Sequence, residues 1–560
     1  MQFNHADLFE GVADAVAERT ALVCGDRRLT YADLDAEANR LAHYLDSVGV
    51  RPGQHVGMQL YSGVEYAAAI IATLKIRAVP VNINYRYVKA ELEYVYRDAD
   101  LVALLYDAEF AERTRAAAPA AATLRHLIAV GAQAGAPAQP GAGQAGSARG
   151  SSAGLAEPVR YQDAVAASPA TRGFPARSPA DVYIVYTGGT TGLPKGVLWH
   201  CEDLFFAFGG GNLGGAPVAS PGELLDKART SGPVVMMPVS PLMHGAGQMT
   251  MFIGFWMGGT VVLVRKFDPD DVLETIAREK VMTISIVGDA MATPLADKIA
   301  TGDYDLSSLL VVSSTGAILS GSVRERLQSL LASATIMDSL GSTESGYSAL
   351  GVTGATPESG LRYRPNDSLV TVLDGKLRRV EPGSGEVGQV ARSGHISFGY
   401  YNDEAKTAET YVLADGRRWL LSGDMATVES DGTITMLGRG SLCINSGGEK
   451  VFPEEIEATL KGHPAVFDVL VTAVPDPRYG ERVAAVVQLR AGFPVPAAGE
   501  LDGHCRVSLA GYKVPRTYAF VPELKRSPAG KADYRWARET ALAAQARAAG
   551  AITPGHARRV

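Results

Sequence analysis

The feature that most constrains this chain is a glycine- and threonine-rich segment, YTGGTTGLPKGVLWH at 186–200, which directly follows the apolar run DVYIV at 181–185. Glycines expose backbone N–H groups, threonines add hydroxyl donors and Lys195 adds a positive charge, and this combination suits a polyphosphate. The segment is not a Walker loop, because Gly-Lys-Ser/Thr is absent and Pro194 precedes Lys195. We therefore predict a strand followed by a phosphate-binding loop, with a plain linking turn as the alternative.

Apolar, strand-like runs alternate with helical stretches beyond this loop. The runs include VVMMP at 234–238, GTVVLV at 259–264 and LLVVSST at 309–315, and helical patterns span 269–279 and 322–331. Alternation of this kind indicates helices layered on a sheet. The sequence therefore predicts an α/β fold class.

The length of the chain, 560 residues, exceeds the size at which one hydrophobic core stops growing, so at least two domains are expected. A boundary is predicted near GRGSLC at 438–443, after the turn signal SDGT at 430–433. Pro453 and two glutamates then open a short helix, and the strand-like runs VLVTAV and RVAAVVQL follow. The residues after this boundary are predicted to form a small α/β domain of their own.

Two segments lack the apolar residues that a core requires. The stretch 131–157 is mostly Gly, Ala, Ser and Pro, which predicts a flexible surface insertion. The stretch 541–560 is rich in Ala and Arg, which predicts a frayed helix or a disordered tail.

Charge and cysteine content narrow the class of function. The net charge of −7 is not the clustered basic excess of a nucleic-acid binder. The acidic start, MQFNHADLFEGVADAV, does not resemble a signal peptide, and charges and a proline interrupt the most apolar window, near 66–81. The four cysteines lie far apart and fit neither a disulfide framework nor a zinc site. We therefore expect a cytoplasmic protein with no transmembrane segment and no nucleic-acid partner.

Four further segments follow the glycine-rich loop in order. They are SSTGAILSG at 313–321, DSLGSTESG at 338–346, WLLSGDMATVESDG at 419–432 and LKRSPAGKADYRWA at 524–537. With the loop, this series resembles the adenylate-forming, or AMP-binding, superfamily, which contains acyl-CoA synthetases, firefly-type luciferases and the adenylation domains of peptide synthetases. The loop and the string GGEKVFPEEIE are most similar to bacterial medium/long-chain or sterol side-chain acyl-CoA synthetases.

The resemblance implies an architecture and a two-step reaction. A large N-terminal multi-sheet α/β domain, residues 1–438, would be joined by a hinge at 439–441 to a small mobile C-terminal α+β lid domain, 442–540. ATP and Mg²⁺ would activate a small-molecule carboxylic acid as acyl-AMP, and coenzyme A would then take the acyl group as a thioester. The lid would rotate between the two steps, and the family also allows a homodimer.

The resemblance also assigns the residues of the ATP site, position by position. The phosphate loop corresponds to Thr187, Gly188, Gly189, Thr190, Thr191, Gly192 and Lys195. The adenine and ribose residues correspond to Gly316, Ala317, Asp338, Ser339, Leu340, Asp424 and Arg439. Of the catalytic residues, Thr343 would lie near the α-phosphate, Glu344 would bind Mg²⁺, and Lys531 would bridge the substrate carboxylate and the α-phosphate.

For the thiol step, the resemblance matches Ser446 and Gly447 to the turn beside the pantetheine tunnel, where a narrow arm passes close to backbone. Ser441 occupies the hinge position, where aspartate or lysine is commoner. Two further departures from the family pattern are Gly188, where serine is usual, and Leu340, where an aromatic ring often stacks on adenine.

The acid would bind beside PVSPLMHGAGQM at 238–249, in which His244 and Gly245 match the border of the acyl pocket. Nearby Met243, Met249 and Met251 are consistent with either an adaptable apolar pocket wall or plain core. Family members that activate amino acids carry an aspartate in this region to pair with the substrate ammonium group, and none is present here, so the resemblance implies an acid with an apolar tail. The similarity to the acyl-CoA synthetases named above further implies a medium/long-chain fatty acid or a sterol side-chain acid.

Three alternatives stay open. An acyl-AMP ligase that loads a carrier-protein thiol would share every adenylation motif, and so would a luciferase-like oxygenase. A non-catalytic binding protein with this fold would have no need to keep Thr343, Glu344, Asp424, Arg439 and Lys531 together.

Overall fold

The computed structural model describes residues 1–131, 155–187, 193–211, 216–352, 361–446, 449–476, 479–497, 499–526 and 532–550. Within these residues the strands form three β-sheets with helices packed against them, two sheets before the hinge and one after it. The predicted α/β fold class, with a large multi-sheet N-terminal domain and a small C-terminal domain, is confirmed.

The strands are numbered in chain order. They are β1 (Thr20–Cys24), β2 (Arg27–Thr30), β3 (His55–Gln59), β4 (Val79–Asn82), β5 (Leu101–Asp107), β6 (His126–Val130), β7 (Val159–Arg160), β8 (Val182–Thr187), β9 (Lys195–His200), β10 (Val235–Pro238), β11 (Thr260–Leu263), β12 (Thr283–Ile286), β13 (Val311–Thr315), β14 (Thr335–Ser342), β15 (Gly346–Gly351), β16 (Leu361–Pro365), β17 (Val370–Leu373), β18 (Gly388–Arg392), β19 (Gly399–Tyr400), β20 (Tyr411–Ala414), β21 (Arg417–Val428), β22 (Ile434–Arg439), β23 (Ile444–Ser446), β24 (Glu449–Val451), β25 (Val466–Asp476), β26 (Gly480–Leu489) and β27 (Thr517–Val521).

The helices are numbered in the same way. They are α1 (His5–Ala15), α2 (Tyr31–Ser47), α3 (Val64–Lys75), α4 (Lys89–Asp98), α5 (Ala111–Ala117), α6 (Tyr161–Ala166), α7 (Cys201–Ala207), α8 (Pro221–Thr230), α9 (Gly245–Trp256), α10 (Pro269–Glu279), α11 (Gly288–Thr301), α12 (Gly321–Leu330), α13 (Glu404–Thr410), α14 (Pro453–Lys461), α15 (Glu500–Ser508) and α16 (Tyr534–Gly550).

The largest sheet has a parallel half and an antiparallel half. The parallel half runs in the order β1, β11, β10, β12, β13 and β14, and the sheet continues through β15, β16, β22, β21, β18 and β17 with antiparallel pairing. In this register Ser313 pairs with Ser285 on one side and with Met337 on the other. Because parallel strands end at one edge, the segments that follow β12 and β13 meet there, which is where open α/β sheets usually bind ligands.

The second sheet brings the glycine-rich loop to the first. Its order is β19, β9, β8, β4, β3, β5, β6 and β7. Strands β8 and β9 are antiparallel neighbours, and their last described pair is Thr187 with Lys195. The loop is therefore the connection of a hairpin, and its first and last predicted phosphate-binding residues lie opposite each other.

The main hydrophobic core lies between the two large sheets. It joins residues of α1, α2, α3 and α9 to Val56 and Met58 of the second sheet and to Val261 and Leu263 of the first. Burial of this kind is the main favourable term in folding, so the core fixes how the two sheets face each other. The predicted helices at 269–279 and 322–331 correspond to α10 and α12 and are confirmed.

The small domain is built on a third sheet, ordered β24, β23, β26 and β25, with β27 also paired to β26. Alternate residues of β25 point to opposite faces, as a strand requires. Val469 and Val471 belong to a cluster with Ile456 of α14 and Leu501 of α15, whereas Leu470 belongs to a cluster with residues of α16. The sheet is thus covered by helices on both faces, and we call this unit the lid.

The two low-complexity segments fall largely outside the described residues. Of the predicted insertion at 131–157, the structure describes only residue 131 and residues 155–157. Helix α16 continues to Gly550, past residue 541 at which the predicted tail starts. None of the described helices is both long enough and apolar enough to cross a membrane.

Candidate active site

Tyr400 lies between two residues of the predicted phosphate and metal site. Lys195, at the start of β9, forms an ion pair with Asp403 at its Nζ, and the same Nζ lies 5.9 Å from the centroid of the Tyr400 ring. The Tyr400 hydroxyl donates a hydrogen bond to Glu344 Oε1 at 3.0 Å. The predicted loop lysine and the predicted metal carboxylate therefore flank one aromatic ring.

Asp403 holds Lys195 and also begins α13. Its Oδ1 accepts a hydrogen bond from the backbone N–H of Lys406 at 2.9 Å, which is an N-cap interaction. The hydrogen bond from Lys195 lowers the pKa of Asp403, so the aspartate is a carboxylate at neutral pH. Both side chains keep partial access to solvent, since Lys195 is 37% exposed and Asp403 is 29% exposed.

Thr343 lies next to the predicted border of the acyl pocket. A Cβ atom added at Gly245 would lie 3.8 Å from Thr343 Oγ1, so the backbone at the start of α9 passes beside this hydroxyl. The main chain at Thr343 is fixed by Trp199, whose indole Nε1 donates to the Thr343 carbonyl at 2.9 Å. His244 is the N-cap residue of α9 and is half-buried. The structure thus brings His244, Gly245 and Thr343 together.

The methionines of this region divide between two environments. Met249 and Met251 are buried in the main hydrophobic core, and for these two the interpretation as plain core is confirmed. Met243 instead belongs to a separate small cluster with Tyr61, Tyr85 and Phe110. All four residues are buried, and Met243 directly precedes His244.

The predicted adenine segment follows β13 and is tightly built. Gly316 has a φ of +80°, a conformation that favours glycine. The neighbouring Gly288, at the start of α11, has a φ of +50°, and a Cβ atom there would lie 2.5 Å from the Ile318 carbonyl oxygen and 2.9 Å from Ala317 Cβ. Only a residue without a side chain fits this approach, so Gly288 sets the path of the segment that contains Gly316 and Ala317.

Strand β14 carries three of the predicted adenine residues. The Ser339 hydroxyl donates to the Ser314 carbonyl at 3.0 Å, which locks β14 to β13. Asp338 Oδ2 accepts a hydrogen bond from the Tyr363 hydroxyl at 2.7 Å, and burial raises the pKa of Asp338 to about 6. Leu340 is partly buried and packs against the small core of the antiparallel half-sheet. Asp338 therefore has an internal partner.

The two predicted ribose residues form a direct pair. Asp424 and Arg439 are register partners on β21 and β22, and Arg439 Nε lies 2.7 Å from Asp424 Oδ1. Arg439 also donates from Nη1 to the Ser422 carbonyl at 3.2 Å. Asp424 is largely buried and Arg439 is 40% exposed. The carboxylate of Asp424 is thus held by a partly exposed guanidinium group.

A buried carboxylate of the lid, Glu454, contacts the backbone of the predicted hinge. The backbone N–H of Arg439 donates to Glu454 Oε1 at 3.0 Å, and a Cβ atom at Gly438 would collide with the same carboxyl group. Burial, and secondarily the carboxylate of Glu457, raise the pKa of Glu454 to about 7. Ser441 follows in the short 3₁₀ turn Gly440–Leu442. Glu454 thus connects α14 to the hinge backbone.

Several predicted residues lie outside the described part of the chain. They are Gly188, Gly189, Thr190, Thr191, Gly192, Gly447 and Lys531. Ser446 is described and pairs with Gly480 in the lid sheet. Ala532, the residue after Lys531, pairs with Arg526 in an isolated antiparallel bridge. The base of the segment that carries Lys531 is therefore placed in the lid.

The donor set suits a metal held mainly by substrate. Among the described residues, no group of three or more His, Cys, Asp and Glu side chains is arranged to hold an ion. Mg²⁺ is commonly bound by one or two carboxylates together with substrate phosphates, so Glu344 beside the phosphate loop fits Mg²⁺. Tyr400, which donates to Glu344, and Asp403, which pairs with Lys195, were not identified from the sequence.

Comparison with known proteins finds matches over nearly the whole chain. A family model described as AMP-binding enzyme matches residues 9–401, and one described as AMP-binding enzyme C-terminal domain matches residues 455–531. A medium/long-chain-fatty-acid–CoA/3-oxocholest-4-en-26-oate–CoA ligase of Mycobacterium tuberculosis is 45% identical over 557 residues, 99% of this chain and 98% of that protein. A 3-oxocholest-4-en-26-oate–CoA ligase of Rhodococcus rhodochrous is 44% identical over 96% of each chain.

A solved structure agrees with the fold over the full length. The anthranilate CoA ligase AuaEII in complex with anthranoyl-AMP matches with a TM-score of 0.80 and 25% identity, covering 98% of each chain.

Proposed function

Because this chain belongs to the AMP-binding enzyme family, we propose that it is an acid–CoA ligase in which a carboxylic acid is first activated as acyl-AMP and then transferred to coenzyme A. In the first step a carboxylate oxygen attacks the α-phosphorus of ATP and pyrophosphate leaves. In the second step the thiol of coenzyme A attacks the acyl carbonyl and AMP leaves. The observation that carries the proposal is the juxtaposition of Thr343 with Gly245 and of Glu344 with Tyr400 and Lys195.

The phosphate end of the site would stabilise charge that develops on pyrophosphate. Lys195 places a positive charge next to the glycine-rich loop, and Thr343 offers a hydroxyl donor to an α-phosphate oxygen. Mg²⁺ held by Glu344 would neutralise phosphate charge when bound. Tyr400 keeps the Glu344 carboxylate in place through one hydrogen bond at 3.0 Å. The Tyr400–Glu344 hydrogen bond already exists in the free protein, so this carboxylate needs little reorganisation as the reaction proceeds.

The ribose end would use the Asp424–Arg439 pair. Arg439 Nε holds Asp424 Oδ1 at 2.7 Å, and a carboxylate has further acceptor sites for a vicinal diol. The backbone N–H of Arg439 also donates a hydrogen bond to Glu454 of the lid. Nucleotide binding at Asp424 would therefore affect a residue that contacts the lid at the predicted hinge.

The lid would supply the groups that differ between the two steps. By resemblance, Lys531 bridges the carboxylate and the α-phosphate in the first step, and Ser446 with Gly447 lines the thiol path in the second. One site cannot both exclude water for adenylation and admit a thiol arm, so a moving lid is required.

For the acid, we propose a medium/long-chain fatty acid or a steroid with a carboxylated side chain. The support is the identity of 44–45% with relatives named for these acids. Acyl preference depends on pocket shape rather than on the ATP motifs. We propose that the reaction takes place in the cytoplasm. A homodimer is compatible with this proposal, because all the site residues named above belong to one chain.

The test is an acid panel with purified protein, ATP, Mg²⁺ and coenzyme A, from acetate through dodecanoate and palmitate to 3-oxocholest-4-en-26-oate and benzoate. We expect acyl-CoA and AMP in equal amounts with the medium/long-chain or steroid acids. Acyl-AMP that accumulates without thioester would instead identify a carrier-protein ligase, and light emission with oxygen would identify a luciferase-like enzyme. Absence of AMP with every acid would contradict the proposal.

A further inference from the structure

A chain of ion pairs crosses from the lid to the large domain. Lys461, the last residue of α14, donates from Nζ to Asp289 Oδ2 at 2.9 Å and lies 3.4 Å from Asp468 Oδ1. Asp289 belongs to α11 of the large domain, whereas Asp468 belongs to β25 of the lid. The Lys461 side chain is 10% exposed and that of Asp289 is 7% exposed. The contact between the domains is therefore largely shielded from water.

At the large-domain end, the chain braces the predicted adenine segment. Asp289 Oδ1 accepts a hydrogen bond from the backbone N–H of Ser320 at 2.8 Å, and the Asp289 N–H donates to the Ile318 carbonyl at 3.1 Å. Gly316 and Ala317 lie just before these contacts. One carboxylate thus holds the predicted adenine segment with one oxygen and the lid with the other.

At the lid end, the chain of ion pairs reaches a residue next to the segment that contains Lys531. Arg526 donates to Asp468 Oδ2 from Nη2 at 2.6 Å and from Nε at 2.8 Å. Arg526 also pairs with Ala532 in an antiparallel bridge, and these two residues flank positions 527–531, which include Lys531 and lie outside the described residues. The series of contacts that starts at the predicted adenine segment is therefore Asp289, Lys461, Asp468 and Arg526, and it ends at Ala532, the residue after Lys531.

Only one link in this chain depends on the orientation of the lid. Lys461, Asp468 and Arg526 all belong to the lid and keep their contacts if it rotates, but the Lys461–Asp289 link would break. Burial alone would lower the pKa of Lys461, but Asp289 and Asp468 raise it, so the ammonium stays charged. A buried charge that loses one of two partners is costly, which makes the link sensitive to orientation.

Helix α11, which contains Asp289, also provides a second contact between the domains. Arg490 of the lid lies 3.5 Å from Asp297 Oδ1 on α11. Asp297 is 39% exposed and is also bound by Arg326 of α12, so this pair is weaker than Lys461–Asp289. Helix α11 therefore presents the lid with one buried and one exposed carboxylate.

We propose that Asp289 and Lys461 are positioning residues that hold the lid in the orientation for adenylation, by fixing the Lys531 segment relative to the adenine segment. The proposal deepens the proposed function and rests on it. Neither residue touches a reacting atom; each acts on Lys531 through Asp468 and Arg526. Breaking the link frees the lid for the thiol step, so the pair is needed for the first half-reaction and dispensable for the second.

The experiment measures the two half-reactions separately with Lys461→Met and Asp289→Asn. Pyrophosphate release without coenzyme A reports adenylation, and conversion of synthetic dodecanoyl-AMP to dodecanoyl-CoA reports thioester formation. Asp289→Asn keeps an oxygen acceptor for the Ser320 N–H and removes only the charge. We expect adenylation to fall about tenfold or more in both variants, while thioester formation changes less than about twofold.

Two further variants separate positioning from stability. Lys461→Arg keeps the charge and should recover most of the adenylation rate. Lys513→Met removes a lid lysine that pairs with Glu455 inside the lid, and it should leave both half-reactions unchanged. Equal loss of both half-reactions in Asp289→Asn, or no loss of adenylation in either test variant, would overturn the proposal. Wild-type protein that forms no acyl-AMP would instead contradict the proposed function.

Discussion

The hydroxyl of Tyr400 donates a hydrogen bond to Glu344 Oε1 at 3.0 Å. Tyr400 lies on β19, which pairs with β9, the strand that begins with Lys195. The predicted magnesium carboxylate is therefore linked, through two neighbouring strands, to Lys195 at the end of the predicted phosphate loop.

Replacing Tyr400 by phenylalanine should weaken the binding of Mg²⁺ during the reaction. Without the hydroxyl, the Glu344 carboxylate loses a donor that fixes its orientation, and such a bond to a charged group contributes about 1.5–3 kcal/mol. We expect kcat/KM for MgATP to fall about tenfold, with a higher Mg²⁺ concentration at half-saturation. Tyr401→Phe is the matched control, because that hydroxyl bonds to Asp100 on the surface instead. Identical Mg²⁺ titrations for the two variants would contradict this assignment.

Replacing Asp403 by asparagine should strengthen ATP binding. Asp403 pairs with Lys195 in the free protein, so ATP phosphates compete with a carboxylate for the same ammonium group. Asparagine still caps α13 but carries no charge. Because the pair is partly exposed, we expect KM for ATP to fall only about two- to fivefold. A rise in KM would show that Asp403 orients Lys195 for phosphate rather than competing with it.

Replacing Gly288 by alanine should destabilise the adenine segment. The new Cβ would lie 2.5 Å from the Ile318 oxygen at a φ of +50°. We expect a loss of about 2–4 kcal/mol in the free energy of unfolding, measured by urea denaturation, with weaker ATP binding. Gly25→Ala is the control, since Gly25 has a φ of +56° but nothing within 4 Å of its Cβ position. That variant should lose only about 1–2 kcal/mol and bind ATP normally.

Replacing Glu454 by glutamine should change how stability depends on pH. The pKa of Glu454 is raised from 4.5 to about 7, so the folded state binds the proton more tightly than the unfolded state does. The stability that this group contributes is fully present below pH 4.5 and is lost as the pH rises through 7.

The glutamine variant cannot ionise and escapes this loss. Its melting temperature relative to that of wild type should therefore increase between pH 5 and pH 8. The corresponding difference in the free energy of unfolding has a limit on the order of 3 kcal/mol. Calorimetry across this range measures the difference, and parallel pH profiles for the two proteins would show that Glu454 is not the titrating group.

Much of the fold follows from local sequence patterns. The runs at 234–238 and 259–264 became β10 and β11, because continuous apolar stretches suit strands that are buried on both faces, and the run at 309–315 contains β13. The start of α14 was predicted equally well, since Pro453 and two glutamates mark it. Pairing order and register depend on contacts distant in sequence, and a single sequence does not contain them.

The candidate site was predicted only as far as its motifs extend. Tyr400 and Asp403 lie some 200 residues beyond Lys195, and neither residue type is unusual in a surface turn. The Lys461–Asp289 link spans 172 residues and joins two domains, so no local pattern indicates it. Conversely, the even choice between pocket and core for Met249 and Met251 was decided by packing, because apolar spacing on α9 is the same in both cases.

The most direct test of the central claim follows the oxygen atoms of the acid. Dodecanoate labelled with oxygen-18 in its carboxylate is incubated with the protein, ATP, Mg²⁺ and coenzyme A, and the AMP produced is analysed by mass spectrometry. If the carboxylate attacks the α-phosphorus and the thiol then attacks the carbonyl carbon, each AMP carries one labelled oxygen. Unlabelled AMP, or ADP in place of AMP, would contradict an acyl-adenylate route.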